Sequence, residues 1–247
     1  MSLALLAIIC IIMVATSFLS GLFGMAGGLV LIGVLLFIMP VPAAMALHAI
    51  TQIASNIWRA ALWWRYIRWP VAVAYAAGCL IVLLIWSFYQ YVPSVALALL
   101  LLGVVPFIGK LLPARYLPTP ERLSHCGLFG FIAMALMLLT GVAGPVLDQF
   151  FLNGKLDRRE IVATKGVCQV FGHSVKLAYF GGLIDQAGTI EPHVAVLAII
   201  ASLAGTAWSK KFLEAMEEAQ YRRWAGRIVT VIAGYYVLYG GYLVVTA

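Results

Sequence analysis

The sequence predicts an all-α polytopic membrane protein of two inverted repeats, with eight long helices and two short broken ones, ten segments in all. Three observations predict it. Hydrophobic residues make up 64% of the 247 positions and charged residues only 10%. Apolar stretches long enough to span a bilayer recur from end to end. A shift of 117 positions lays the second half on the first with its polar residues in register.

A soluble domain carries about 25% charged residues, so a chain with a mean hydropathy of +1.03 belongs in lipid. Ser2 to Leu19, Val71 to Trp86, Val95 to Ile108, His193 to Trp208 and Ile228 to Val245 are apolar runs near the roughly 20 residues a span needs. The longest polar connections, Lys110 to Arg122 and Ser209 to Arg223, leave no room for a soluble domain. The net charge of +7 reads as topology rather than as affinity for nucleic acid, because Lys and Arg gather in cytoplasmic loops. The partners expected are the lipid bilayer and a small anion, with a homodimer left open. Cys10, Cys79, Cys126 and Cys168 lie apart without a CxxC pair, so buried thiols are expected and neither a disulfide framework nor a metal site. No cofactor is expected. Ser2 to Leu19 lacks the basic n-region of a signal peptide and is read as the first membrane segment.

The 117-residue shift lays Gly24-Met25-Ala26-Gly27-Gly28-Leu29 on Gly141-Val142-Ala143-Gly144-Pro145-Val146. It continues without a gap to Ala46 on Ala163, Gln52 on Gln169, Ala61 on Ala178 and Ile67 on Ile184. Asn56 then falls on His173 and Arg59 on Lys176. The resulting division is a first repeat over 1–111, a linker over 112–123 and a second repeat over 124–247. Each half reads as a long helix, a Gly-rich break, a short apolar piece, a polar-striped helix and two plain spans. The short pieces, Gly28 to Met39 and Pro145 to Asn153, either cross the membrane or close a re-entrant hairpin.

The loops at Arg65 to Arg68, Lys110 to Arg122, Lys155 to Arg159 and Ser209 to Arg223 hold 12 of the 16 Lys and Arg. Those at Pro40 to Pro42, Tyr91 to Pro93 and Asp185 to Pro192 hold none. The basic loops are therefore expected in the cytoplasm and both termini outside. An odd number of passes per half makes the halves inverted, an arrangement common in secondary transporters. Trp58, Trp63, Trp64, Tyr66 and Trp69 read as an interfacial aromatic belt at the cytoplasmic end of their helix.

The candidate substrate-binding residues come from the breaks and the stripes. Gly21, Gly24, Gly27 and Gly28, and then Gly141, Gly144 and Pro145, interrupt apolar sequence. Broken backbone at membrane depth persists only where protein or a wet cavity satisfies it. A helix start there offers unpaired amides and the positive end of the dipole to an anion. Pro145 suits a first helical turn. A bulky side chain at Gly27 or Gly144 is expected to block transport without preventing insertion.

His48, Gln52, Asn56 and Arg59 make one stripe, and Lys165, Gln169, His173 and Lys176 repeat its spacing. Ionisable residues inside membrane helices line pathways or pair with one another, so cations without acids at the same depth point to an anion. Gln52 and Gln169 are the mid-helix candidates for direct contact. His48, Arg59, Lys176 and Asp148 are candidates for gating or coupling, Asp148 by pairing with Lys165 or Lys176 or by relaying a proton. A membrane-embedded haem or quinone protein is the alternative. It would need His48 and His173 face to face, and the repeat pairs each His with a different residue.

Gly141-Val142-Ala143-Gly144-Pro145, Ala163-Thr164-Lys165-Gly166, Tyr179-Phe180-Gly181-Gly182-Leu183-Ile184-Asp185 and a closing helix ending Gly240-Gly241 occur in order. In this the chain resembles the TauE/SafE sulfite exporter family over nearly its whole length. Two departures are visible. The usual three glycines appear as Gly27-Gly28 and as Gly144-Pro145, and Lys165 stands where a small or hydroxyl residue is expected. The resemblance implies transport of sulfite, sulfonates or related sulfur oxyanions across a bacterial inner membrane without ATP.

Overall fold

The computed structural model describes residues 3–23, 26–111, 118–184 and 190–246. Ten α-helices account for nearly all of them: α1 Leu3–Phe23, α2 Ala26–Ile38, α3 Val41–Leu62, α4 Trp69–Tyr89, α5 Val95–Leu111, α6 Leu123–Thr140, α7 Gly144–Leu152, α8 Arg158–Ala178, α9 Pro192–Ala215 and α10 Glu218–Thr246. A 3-10 turn, Trp64–Tyr66, follows α3, and a single π turn, Tyr179–Leu183, extends α8. At 1.5 Å per residue α2 is about 20 Å long and α7 about 14 Å, so neither crosses a bilayer core of about 30 Å alone.

Among the described residues five helices are long and apolar enough to cross a membrane: Leu6–Phe23, Trp69–Tyr89, Leu123–Thr140, Pro192–Ser209 and Gly226–Thr246. The stripe-bearing α3 and α8 are long but too polar to count among them, because a full side of each helix is hydrophilic. They pack against each other, and also against α9 and α4 respectively. The protein is a multi-pass membrane protein with a polar centre.

The breaks are tighter than the sequence suggests. Gly21 lies inside α1, where a methyl group on it would stand 1.8 Å from Ser209 Oγ. Gly27 and Gly28 are already helical, in the first turn of α2. Gly24 lies outside the described residues. In the second half α6 stops at Gly141, which has φ +87° and returns its N–H to the Met137 carbonyl. That left-handed conformation suits glycine. Thr140 donates its hydroxyl to the Val142 carbonyl across the turn, and α7 opens at Gly144 with Pro145 in its first turn.

The dominant helix pairings are α1 with α9, α4 with α6, α3 with α8 and α5 with α10. The 117-residue shift carries α1 to α6 and α4 to α9. The α1–α9 contact thus maps onto α6–α4, while α3–α8 maps onto itself. Glycines close three of these contacts, in the manner of small-residue packing in membranes. A methyl group on Gly205 would stand 2.3 Å from the Val14 carbonyl oxygen, one on Gly130 2.0 Å from that of Tyr75, and one on Gly103 2.6 Å from that of Ala233.

Three basic loops meet at one end of the bundle. Arg159 donates to Tyr66 Oη at 2.9 Å, Arg68 pairs with Glu160 at 3.4 Å, and the Lys155 amide donates to Glu121. That last bond holds the Glu121 carboxyl below its ordinary range. The rings of Trp63 and Tyr66 lie under the Arg159 guanidinium, and Trp58, Trp63, Trp64 and Trp69 are exposed around them. Asp157 and Glu160 form a capping box that starts α8 at this end. Tyr179, at the far end of α8, donates to the Tyr91 carbonyl of an uncharged loop.

Candidate functional site

α3 and α8 run antiparallel. His48 near the start of α3 meets Lys176 near the end of α8, and Ala60 near the end of α3 meets Gly166 near the start of α8. This register sets the two stripes face to face in layers. His48 is level with Lys176, Gln52 with His173, Asn56 with Gln169, and Arg59 with Lys165.

The first layer ties both helix breaks together. His48 Nε2 lies 2.9 Å from the Gly28 carbonyl, which can only accept, so this nitrogen carries the proton. Nδ1 is then the acceptor for Lys176 Nζ at 2.8 Å, and Lys176 donates a second bond to the Gly141 carbonyl at 2.8 Å. Gly28 and Gly141 thus present carbonyls to this network. Lys176 is 0% exposed, so it does not reach the surface, and among the described residues no carboxylate pairs with it. In the ammonium form one of its three N–H groups is left over.

The next layers hold unused capacity. His173 Nδ1, Gln169 Oε1 and Asn56 Oδ1 are enclosed and have no hydrogen-bond partner. Asn56 Nδ2 is committed to the Gln52 carbonyl at 2.8 Å. The Gln52 amide lies over Gly28, where a methyl group would come within 3.2 Å of its Oε1. Buried polar atoms are nearly always paired, and an unpaired one costs about 1–3 kcal/mol. Three of them lie on one seam.

The last layer is occupied by protein. Arg59 donates to the Ser20 carbonyl at 2.6 Å. Lys165, one of the two lysines expected as partners for Asp148, pairs with it on α7, which takes Lys165 out of the uncompensated cations.

Gly27 is taken up by helix packing. A methyl group on it would stand 1.8 Å from the Thr16 carbonyl oxygen and 2.5 Å from the Ser20 amide, so its open face belongs to α1. A large residue there collides with α1 main chain. Gly144 and Pro145 are buried at the α7 start. The thiols of Cys79, Cys126 and Cys168 are buried and free, but Cys10 is only partly covered.

The haem alternative also needs correction on one point. The antiparallel register brings the His48 and His173 rings to 5.5 Å between centroids, so pairing in the repeat does not keep them apart. Both ring nitrogens of His48 are engaged in hydrogen bonds, however, which leaves that ring no lone pair for a metal.

Sequence reasoning passed over a set of hydroxyls on α1, α3 and α9. Ser55 and Thr206 lie 3.0 Å apart, Ser17 donates to Ser202 at 3.3 Å, and Ser202 donates to the Thr51 carbonyl at 2.8 Å. Ser20 Oγ is enclosed without a partner. Their three- and four-residue spacing on each helix is the signal that could have found them.

A conserved-domain comparison completes the picture: the sulfite exporter TauE/SafE model matches residues 8–236. No curated protein and no solved structure matches the chain. With that match over nearly its whole length, on a ten-helix membrane bundle, the chain belongs to the TauE/SafE sulfite exporter family, a family of membrane transporters.

Proposed function

We propose that this protein is a secondary transporter that moves a small sulfur-containing oxyanion, sulfite, a sulfonate or a close relative, across the bacterial inner membrane. The substrate sits between the two halves, in the seam of α3 and α8. The observation that carries this reading is Lys176: its amine is fully buried and bonded to His48 and Gly141, with no carboxylate beside it among the described residues. A buried charge without its counter-charge is costly. An anion bound at the adjoining unpaired atoms supplies what is missing.

Lys176 also places the substrate where it can act on both breaks. It touches the Gly141 turn directly and reaches Gly28 through His48. An anion that draws Lys176 toward Gln169 and His173 loosens that tie. Such differential contact is the requirement for a ligand to shift a conformational equilibrium.

The exchange of helix neighbours under the repeat, together with the antiparallel α3 and α8, supports halves that are inverted in the bilayer. Such an arrangement puts the four basic loops in the cytoplasm and both termini outside. Reporters at Pro118 and Ala215 should then read as cytoplasmic and one at Ala187, which lies outside the described residues, as external. The deciding experiment is counterflow of labelled sulfite in proteoliposomes, with thermal shift of the purified protein against sulfite, thiosulfate, sulfate and sulfoacetate. A ligand stabilises the state it binds. Absence of both counterflow and stabilisation by every one of these anions would overturn the reading.

A further inference from the structure

We propose that the seam takes its substrate as a singly charged oxyanion bearing its own hydrogen-bond donor, hydrogen sulfite being the simplest such species. Dianions, and monoanions without a donor, are discriminated against. This rests on the reading of the α3–α8 seam as the substrate site. Two separate features of the seam lead to it, one of charge and one of hydrogen bonding.

Among the described residues Lys176 is the only fully enclosed cation. Lys165 is neutralised by Asp148, and Arg59 lies in the last turn of α3 with its guanidinium on the Ser20 carbonyl. The layers between Lys176 and this end therefore offer compensation for one negative charge. The second charge of a sulfate or a fully deprotonated sulfite would be buried without a partner, which is strongly unfavourable.

The unpaired atoms point the same way. Asn56 Oδ1 and Gln169 Oε1 share a layer and both are acceptors, with His173 Nδ1 in the layer beside them. Asn56 cannot turn its amide to offer a donor, because Nδ2 is committed to the Gln52 carbonyl. A fully deprotonated oxyanion brings only acceptors and would set lone pair against lone pair. A protonated one directs its O–H to these oxygens while its charged oxygens face the free N–H of Lys176. Sites that hold buried acceptors for a substrate hydroxyl reject analogues lacking it far more strongly than sites that merely lose a contact.

Other groups near the seam can titrate. His48, His173, Lys176, Lys165, Asp148 and Arg59 belong to it, Cys168 is on α8, and α4 contributes Tyr75 and Cys79; α9 brings the hydroxyls of Ser202 and Thr206. The protein's own pH response must therefore be separated from that of the ligand. Methanesulfonate does this, because it is a monoanion without a donor and does not titrate between mildly acid and mildly alkaline pH.

The test is calorimetric titration of the purified protein with sulfite, methanesulfonate and sulfate across that pH range. Relative to methanesulfonate, sulfite affinity is expected to fall about tenfold per pH unit once sulfite loses its proton, as linkage to one proton requires. Where hydrogen sulfite predominates, sulfate and methanesulfonate should bind at least about a hundredfold more weakly. Asp148→Asn leaves Lys165 uncompensated and should improve sulfate relative to sulfite by about tenfold or more. A sulfite profile parallel to that of methanesulfonate, equal affinity for sulfate, or unchanged selectivity in Asp148→Asn would overturn the proposal while leaving the seam as an anion site. No binding of any of the three at any pH would instead remove the site reading itself.

Discussion

The two stripes share one spacing, and the structure treats them differently. In α3, His48, Asn56 and Arg59 each donate to a main-chain carbonyl, those of Gly28, Gln52 and Ser20. In α8, Gln169 and His173 leave ring and amide atoms unpaired, and Lys176 reaches across to the other half. The surroundings differ as well. Thr51, Ser55 and Ser20 on the first flank correspond under the repeat to Cys168, Gly172 and Met137 on the second. One flank is lined by hydroxyls, and the other by sulfur and a glycine packed on Met137. The 117-residue shift matches the spacing of the two stripes but not what they offer. The α3 stripe chiefly fastens backbone in place and leaves only Asn56 Oδ1 unpaired among its described atoms, while the α8 stripe leaves Gln169 Oε1 and His173 Nδ1 unpaired.

The largest expected effect separates two neighbouring glycines. Gly27→Val drives a side chain into α1 main chain and should prevent recovery of monodisperse protein, whereas Gly28→Ala meets only the movable Gln52 amide and should fold with weakened anion binding. Size-exclusion chromatography in detergent reads the contrast. If Gly27→Val behaves like the parent, α1 does not pack on α2 as described.

Next comes Lys176→Met, which removes a buried charge while keeping an apolar chain of similar length. Such replacements of buried ionic groups are often neutral or stabilising. Sulfite counterflow should be abolished, with thermal stability equal to or above that of the parent. Arg59→Met, at the equivalent repeat position, should retain measurable counterflow. Equal loss in both would erase the distinction between the stripes.

Gln169→Ala should weaken anion binding by about 1–3 kcal/mol, the range for a buried partner lost, and Gln52→Ala by less. Titration calorimetry on the pair decides which stripe contacts the substrate. The smallest effect belongs to the hydroxyl flank. Ser55→Ala removes the bond with Thr206 and should lower stability by about 1 kcal/mol, the usual net value of one hydrogen bond, without altering sulfite affinity. A large affinity change there would make the hydroxyl flank part of the binding site.

Much of this was legible in the sequence because membrane burial writes itself into local pattern. Apolar runs, the polar stripes and the helix-breaking residues before α7 are each visible within a window of about twenty residues. Eight long helices and two short ones follow from those windows, and so do the family motifs around Gly141 and Thr164. The 117-residue shift also showed that the two stripes are equivalent. What each stripe residue does was decided by contacts between helices distant in the chain. His48 and Lys176 are 128 residues apart, and their bond exists only because α3 and α8 pack antiparallel in one register. The choice of Lys165 over Lys176 as the partner of Asp148 depends on where α7 rests against α8. Gly21 and Gly27 read like loop residues, yet they serve helix packing, because close backbone approach and chain reversal both select a residue without a side chain. Composition and periodicity report which environment a residue prefers. Only the packed helices determine which of the compatible partners it meets, since that choice is made by shape across the whole bundle.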